Sequence, residues 1–545
     1  MALHRHATSL IFSHLFLIYH VILLLIPFGN ADNQQPLHAT AEATPRRVAV
    51  IGAGAAGSSN AYFLRKYAES SQTPVDITVF ERSSYIGGRS TTVDVFDNPA
   101  YPVELGASIF VKVNYNLVNA SRDLGLVAQG ADIARPRESE DSIGIWDGKE
   151  FVVTLQNTSN WWNIGKILWR YWLAPIKAQN LMKTTVKKFL QLYEEPIFPF
   201  PSLSDAAEKV GLLDATASPG EDFLEKNGIS ADFGREVIQA STRVNYGQNI
   251  PLIHGLETMV CMAAEGAVSI EGGNWRIFDG MLKSSSANVK LNTTVTSIKR
   301  NEADGTLTIK SVSEDHTNRK QEHSNNVFDE VVITGPLQYS GIYISPPFDH
   351  APDEIPYVTL HVTLFSSPHK LSPEFFGLAS NEQAPETILT TLPKGTNLGT
   401  EKPGVGPAGF WSISTLRTVT SANNERHYVY KVFSPERLTG GFVAQVLGFQ
   451  NSTTINDEST IADLPKTDIS WFHEKIWHPY PFLYPRVTFE EPNVAPSVWY
   501  TGGIESFIST METSSLMGKN VAALMVQSWK GQDTTSSEGQ GRDDL

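Results

Sequence analysis

The spacing of apolar residues changes period several times along this chain. An apolar, β-branched run, Val48-Ala49-Val50-Ile51, leads through glycines into helical spacing at Ala61, Phe63, Leu64 and Tyr67. A second apolar run then ends at Val79-Phe80-Glu81, so strand, helix and strand are predicted over 46–81. From 128 to 153 the pattern is extended, and Asp147-Gly148 between two short apolar runs predicts a hairpin. Residues 160–265 carry apolar positions three and four apart and are predicted mostly helical. Strands return at Val289–Leu291, Thr294–Ile298, Thr306–Ile309 and Asp329–Thr334, the last stopped by Gly335-Pro336. Alternation over 341–489, as in Val358–Phe365, predicts a large sheet, with a Pro- and Gly-rich loop at 381–409. Val498–Tyr500 is a strand entering a glycine turn, followed by a helix marked by Met511, Leu516, Val521 and Leu524. The polar stretch 531–545 lacks any period and is predicted disordered.

The turn after the first strand is Gly52-Ala53-Gly54-Ala55-Ala56-Gly57. In this strand–glycine–helix setting, glycines allow a tight turn and let a pyrophosphate approach the backbone at a helix N-terminus. Glu81, ending the second strand, sits where a carboxylate accepts the hydroxyls of an adenosine ribose. The following Arg82 and Gly87-Gly88-Arg89-Ser90 resemble flavoproteins of the amine-oxidase and GDP-dissociation-inhibitor superfamily, which points to FAD rather than NAD. Glu104-Leu105-Gly106-Ala107-Ser108 resembles that superfamily's next cofactor turn, and Gly503-Ile504-Glu505 its C-terminal flavin corner. The same resemblance places Val295 at the cofactor and Gly335 beside the adenine. The expected fold is α/β. A discontinuous Rossmann-like FAD domain (46–125, 270–340, 490–530) is joined to a substrate domain of helices (126–269) packed on a mixed β-sheet (341–489).

The chain has 545 residues, 41% hydrophobic and 19% charged, which suits two interleaved domains. Its formal net charge of −15 argues against nucleic acid as a partner and does not favour anionic membranes. His4, Arg5 and His6 precede an apolar stretch from Leu10 to Ile26, then Gly29-Asn30-Ala31. That layout predicts a secretory signal peptide over 1–31, with an uncleaved anchor as the alternative. Sequons at Asn119, Asn157, Asn292 and Asn451 fit a glycoprotein of the secretory pathway. Cys261 is the single cysteine, so no intrachain disulfide forms. The C-terminal flavin turn holds no cysteine, and FAD is expected to bind non-covalently. No His, Cys or Asp spacing suggests a metal.

Within the superfamily, Arg243-Val244-Asn245-Tyr246-Gly247-Gln248, Glu271-Gly272-Gly273-Asn274 and the aromatic stretch Trp161-Trp162 through Trp169-Arg170-Tyr171 resemble prenylcysteine oxidase, also called prenylcysteine lyase. Gly503-Ile504-Glu505 with Ser509-Thr510-Met511-Glu512 is similar to that family's C-terminal motif. Residues 381–425 depart most from the family's pattern. The resemblance implies a flavin oxidase that takes a hydride from the allylic carbon next to sulfur in farnesyl- or geranylgeranyl-cysteine. Water then adds, giving prenyl aldehyde and cysteine, and O2 becomes hydrogen peroxide. The cofactor carries the hard step. The family also points to a lysosomal or vacuolar location, with secretion as the alternative, and to no protein partner.

Each candidate residue has a plainer reading beside the functional one. Arg243, Asn245, Tyr246 and Gln248 bind the amino-acid end of the substrate or orient water, or they cap a turn between domains. Tyr246, Gln248 and Glu505 are the candidates for catalysis, though a carboxylate at a helix N-terminus also serves as dipole complementation. Trp161, Trp162, Trp169 and Trp172 line a prenyl tunnel or dock on a membrane peripherally, or they are core. His361, Trp477, His478 and Tyr480 fall beside the sheet and suit structural roles. Two rival functions remain: an amine or amino-acid oxidase, and a prenyl-binding carrier without redox activity.

Overall fold

The computed structural model describes residues 44–130, 142–156, 160–315, 320–396, 404–421, 423–449 and 458–540. Strands β1 (Arg46–Ile51), β2 (Val75–Phe80), β3 (Asn288–Lys290), β4 (Glu330–Ile333), β5 (Asn493–Ala495) and β6 (Val498–Tyr500) form one sheet in spatial order β5-β6-β4-β1-β2-β3. Every pair is parallel except β5 with β6. Val48, Ala49 and Val50 of β1 are fully buried, as a central parallel strand covered on both faces requires.

The helices that matter for the site are α1 (Ala55–Ser70), α2 (Asn160–Tyr171), α3 (Ala174–Leu190), α4 (Gln239–Tyr246), α5 (Gly255–Cys261), α6 (Trp275–Ser285) and α7 (Met511–Gln540). α1 leaves the glycine turn and is crossed closely by α7. A Cβ on Gly518 would lie 2.3 Å from the Ala56 carbonyl oxygen, so only glycine allows this approach. The crossing is tied by Asn60 Nδ2 donating to Gly518 O at 3.1 Å and by the Ser59 and Ser515 hydroxyls 2.7 Å apart.

A second sheet has seven strands in the order 471–477, 360–367, 426–434, 412–420, 387–390, 142–146 and 151–156. It is antiparallel except where 387–390 runs parallel to 142–146, so it is mixed as expected. The hairpin grouped with the helical segment in the sequence belongs to this sheet. Trp146 anchors it, stacked on Phe410 at 5.9 Å between centroids and edge-on to Phe376.

Strands 320–328, 307–315, 293–300 and 343–345, in that order, make a four-stranded sheet of their own. Ile298, Ile309 and Phe328 pack from it onto Ala49 and Phe80. The C-terminal helix also outlasts its expected end. Trp529, the last buried among its described side chains, donates its indole N–H to Glu330, as does Trp499. The helical backbone nevertheless continues to Gln540, because each added residue costs little once a helix is nucleated. The apolar leader, Asn157, Asn451 and residues 541–545 lie outside the described residues.

Asn520 of α7 holds both the N–H and the C=O of Phe200, each at 2.8 Å, through its own amide. Asn520→Ala leaves two buried backbone groups unpaired. It is expected to lower the unfolding free energy by about 2–4 kcal/mol, read as an earlier urea midpoint.

Candidate functional site

β1 delivers the chain into Gly52, whose φ of +113° is open to glycine and whose Cβ would strike Thr334 Oγ1 at 2.6 Å. That hydroxyl donates to the Ile51 carbonyl at 2.7 Å, so the end of β4 grips the start of the turn. Gly57 lies against the Gly52 carbonyl, where a Cβ would come within 1.9 Å. Glu81, at the end of β2, is buried and accepts from Ala53 N and Ser83 N, both at 2.8 Å. One lone pair on each carboxylate oxygen is thereby used, leaving the others for a ligand's hydroxyls.

The second glycine motif packs beneath the first. Gly87 N donates to Ala53 O at 2.9 Å, and a Cβ on Gly88 would lie 3.3 Å from Gly54 Cα. Arg82 is exposed and donates to the Tyr339 carbonyl at 3.2 Å. Arg89 turns inward. Its guanidinium forms a two-pronged ion pair with Glu505 and donates to the Pro479 carbonyl. Glu505 also accepts from the Tyr357 hydroxyl at 3.0 Å. The Glu505 carboxylate raises the Arg89 guanidinium pKa against the opposing effect of burial, and burial together with that carboxylate raises the Tyr357 phenol.

Thr501 N donates to Ile333 O at 3.0 Å, fixing the C-terminal turn to β4. Gly503 is buried where a Cβ would lie 2.6 Å from the Glu490 carbonyl, and Ile504 is buried beside it. Gly106, Ala107 and Ser108 form the next wall. A Cβ on Gly106 would meet the Arg89 carbonyl at 2.5 Å and the Trp477 ring at 3.5 Å. Lys431, reaching from the seven-stranded sheet, donates to Ser108 Oγ at 2.9 Å and to Glu104 O at 3.2 Å. Burial lowers the Lys431 pKa to about 8 and raises that of Glu104 to about 7. Val295 is buried among Ala49, Phe80 and Val331, so its side chain is core.

The helix-end group disperses. Arg243 is fully buried and donates to Thr390 Oγ1 at 3.0 Å, Asn249 Oδ1 at 2.9 Å and the Val405 carbonyl at 2.6 Å. It also faces the Trp411 ring, and burial without an anion lowers its pKa to about 9. Gln248 spends both ends of its amide on backbone, donating to Pro481 O and accepting from Leu483 N. Both side chains hold loops. Asn245 is exposed and donates to Ser241 O.

Tyr246 alone of the four reaches the C-terminal corner, donating to the Ser509 carbonyl at 3.1 Å, edge-on to Tyr480. Beside it, buried Glu257 accepts from Ser509 N at 3.2 Å, while its Oε1 has no partner. Burial pushes the Glu257 pKa to about 8 and drives that of His254, hydrogen-bonded to Ser506 O, down to about 4.

Among the other candidates, Trp477 is buried and His478 stacks on Tyr339. His361 is half-buried on its strand. The side chains of Trp161 and Trp162 lie outside the described residues, whereas Trp169 and Trp172 are exposed. Asn119 is exposed and Asn292 half-buried. Tyr357 and Glu257 carried no local signal in the sequence, and Glu104 stood only at the head of the Glu104–Ser108 turn. Lys431 did carry one, as a lone cation in the apolar run Tyr428–Phe433.

The turn, Glu81, the paired glycines and the Arg89–Glu505 clamp fit a dinucleotide. Thr501 Oγ1 and Trp477 Nε1 add buried polar atoms without protein partners at its edge. Comparison with known proteins agrees. The prenylcysteine lyase family model matches residues 154–538, and a model for an NAD(P)-binding Rossmann-like domain matches 50–122. A farnesylcysteine lyase of Arabidopsis thaliana is 27% identical over 514 residues, covering 91% of each chain. A prenylcysteine oxidase 1 of Rattus norvegicus is 26% identical over 568 residues, covering 97% of this chain and 96% of that one. The fold is shared with a solved putrescine oxidase variant (TM-score 0.53, 14% identity), over 89% of this chain and 99% of the other.

Glu505→Gln, which keeps the shape of the side chain and removes its charge, is expected to weaken FAD retention about tenfold or more with unchanged far-UV circular dichroism. Titration of the apoprotein with FAD checks this. The buried carboxyls also set a pH dependence. Glu104, Glu257 and Glu512 are held protonated up to about 7, 8 and 7, above the values of an unfolded chain. The folded state therefore binds the extra protons, and stability rises as pH falls toward about 6.5, Glu257 contributing below about 8 and Glu104 and Glu512 below about 7, each by up to roughly 1.4 kcal/mol per unit. Below that, His254, His361, His427 and His473, whose pKa values burial lowers, oppose the trend because the unfolded chain protonates first. The thermal midpoint of the holoprotein is expected to peak in the weakly acidic range.

Proposed function

This chain belongs to the prenylcysteine lyase family, and on that premise we propose that it is an FAD-dependent oxidase that cleaves the thioether of prenylcysteine. Bound FAD supplies the hydride acceptor for the allylic carbon beside sulfur. In the overall reaction that carbon loses two electrons, water adds its oxygen there, and the C–S bond breaks to give prenyl aldehyde and cysteine. O2 takes the two electrons to hydrogen peroxide. The observation that carries the reading is the coincidence of a complete dinucleotide cradle with a family match spanning the helical segment, the second sheet and the C-terminal corner.

The protein's own groups position and enclose. Arg89 and Glu505 close the C-terminal turn onto the second glycine motif, and Tyr357 fixes the Glu505 carboxylate. Lys431 holds the 104–108 wall. Buried Tyr246 and half-buried Tyr480 pack edge-on at the C-terminal corner beside Arg89's partner loop. With the hard chemistry supplied by the cofactor, a nucleophile–base pair is not required.

The apolar leader and the sequons support entry into the secretory pathway, glycosylation and delivery to a lysosome or vacuole. The weakly acidic stability optimum derived above suits such a compartment. A prenylated amino acid partitions into lipid, which supports peripheral association with a membrane.

Anaerobic absorbance spectra before and after addition of farnesylcysteine test the function. The oxidised flavin band is expected to bleach, with peroxide and a prenyl aldehyde appearing on aeration. A band that bleaches only with amines would move the protein to amine oxidation. A protein that binds prenylcysteine and cannot be loaded with FAD would be a carrier.

A further inference from the structure

The helix pair α2–α3 carries a surface that the flavin chemistry leaves unused. Trp169 and Trp172 are 86% and 81% exposed, the most exposed large apolar side chains among the described residues. Leu173 and Ile176 stand beside them at 59% and 46%. These four fall within eight residues at the corner joining the helices. The corner is built to show them: Trp172 sits at a φ of +53°, a left-handed conformation that bulky residues rarely adopt, while its amide still bonds the Leu168 carbonyl at 2.8 Å. Strain that turns an indole outward is not explained by core packing.

Charge follows the same segment. Lys166, Arg170, Lys177, Lys183, Lys187 and Lys188 lie between Phe151 and Tyr193 with no Asp or Glu among them, in a chain whose net charge is −15. On α3, Ile176, Asn180, Lys183 and Lys187 recur at intervals of four, three and four, one helical face, and all four are exposed. Ala174, Ala178 and Thr185 are buried on the opposite side. Arg170 is partly committed to Glu236 and Lys177 to Gly228 O, whereas Lys183 and Lys187 project at the surface.

An aromatic tip flanked by a cationic face matches the two layers of a lipid surface. Indoles enter the headgroup boundary and lysines meet the phosphates outside it. We propose that the α2–α3 corner is the docking surface by which this protein binds an anionic phospholipid bilayer, with Trp169, Trp172, Leu173 and Ile176 inserted and Lys183 and Lys187 on the headgroups. This deepens the peripheral-membrane reading above and rests on it.

Flotation of the FAD-loaded protein with phosphatidylcholine vesicles, with and without phosphatidylserine, tests the assignment. Binding is expected to the phosphatidylserine vesicles and to weaken with added salt. The double variants K183E/K187E and W169S/W172S should each bind about tenfold or more weakly, with oxidation of a water-soluble, short-chain prenylcysteine analogue unchanged. Binding that persists in both variants would overturn this surface and leave peripheral association intact. An unmodified protein that binds no vesicles would overturn both, while its oxidase activity would still stand. A dimer that W169S/W172S converts to monomers, without vesicle binding, would reassign the face to a second copy of the chain.

Discussion

Everything in the cofactor half depends on backbone meeting backbone at a single turn. Residues 52–57 are pressed by the Glu81 carboxylate, by Gly87 N, by Thr334 Oγ1 and, through Ala56, by Gly518 of α7. The contacts come from several stretches of chain, and the approaches of Gly518 to the Ala56 carbonyl and of Gly57 to the Gly52 carbonyl require the absence of a side chain. Packing of this kind tolerates no added methyl group, because the neighbour is main chain that cannot rotate away. The discontinuity of the parallel sheet along the chain follows. Strands from the beginning, middle and end of the chain must pair side by side for the turn to be enclosed.

A second constraint is electrostatic. The interior holds carboxyls, a lysine and an arginine that burial pushes toward their neutral forms, yet most are satisfied by hydrogen bonds. Arg243 illustrates how: a cation without an anion is spread over one hydroxyl, an amide oxygen, two carbonyls and an indole face. Such a group fixes the Gly404–Val405 loop in place with geometry that lysine could not copy. Glu257, with one oxygen unpartnered, is the opposite case, and protonation is its means of relief.

The cradle was legible in the sequence because its rules are local. A strand, three glycines and an acid stand at short spacings, and the second and third glycine motifs follow as short strings. What escaped was set by contacts across the fold. The polar run Arg243–Gln248 looks like a group when written out, but successive helical residues point about 100° apart, and each side chain found a different wall. The Ile143–Val153 hairpin reads as two strands, but its pairing with 387–390, far along the chain, and the stacking of Trp146 on Phe410 are set by the fold. Tyr357 lies in a loop with no period at all and matters only because Glu505, far along the chain, comes to meet it.

The Arg89–Glu505 pair has a consequence in time. Its members are separated by more than four hundred residues, so during synthesis the first glycine motifs emerge long before their closing partner. Until the C-terminal turn arrives, Arg89 lacks its anion and the nucleotide floor has no lid. Cofactor capture is therefore a late event, coupled to the end of translation and to docking of α7 on α1. A chain cut short before Glu505 would emerge with its fingerprint motif intact and still be colourless.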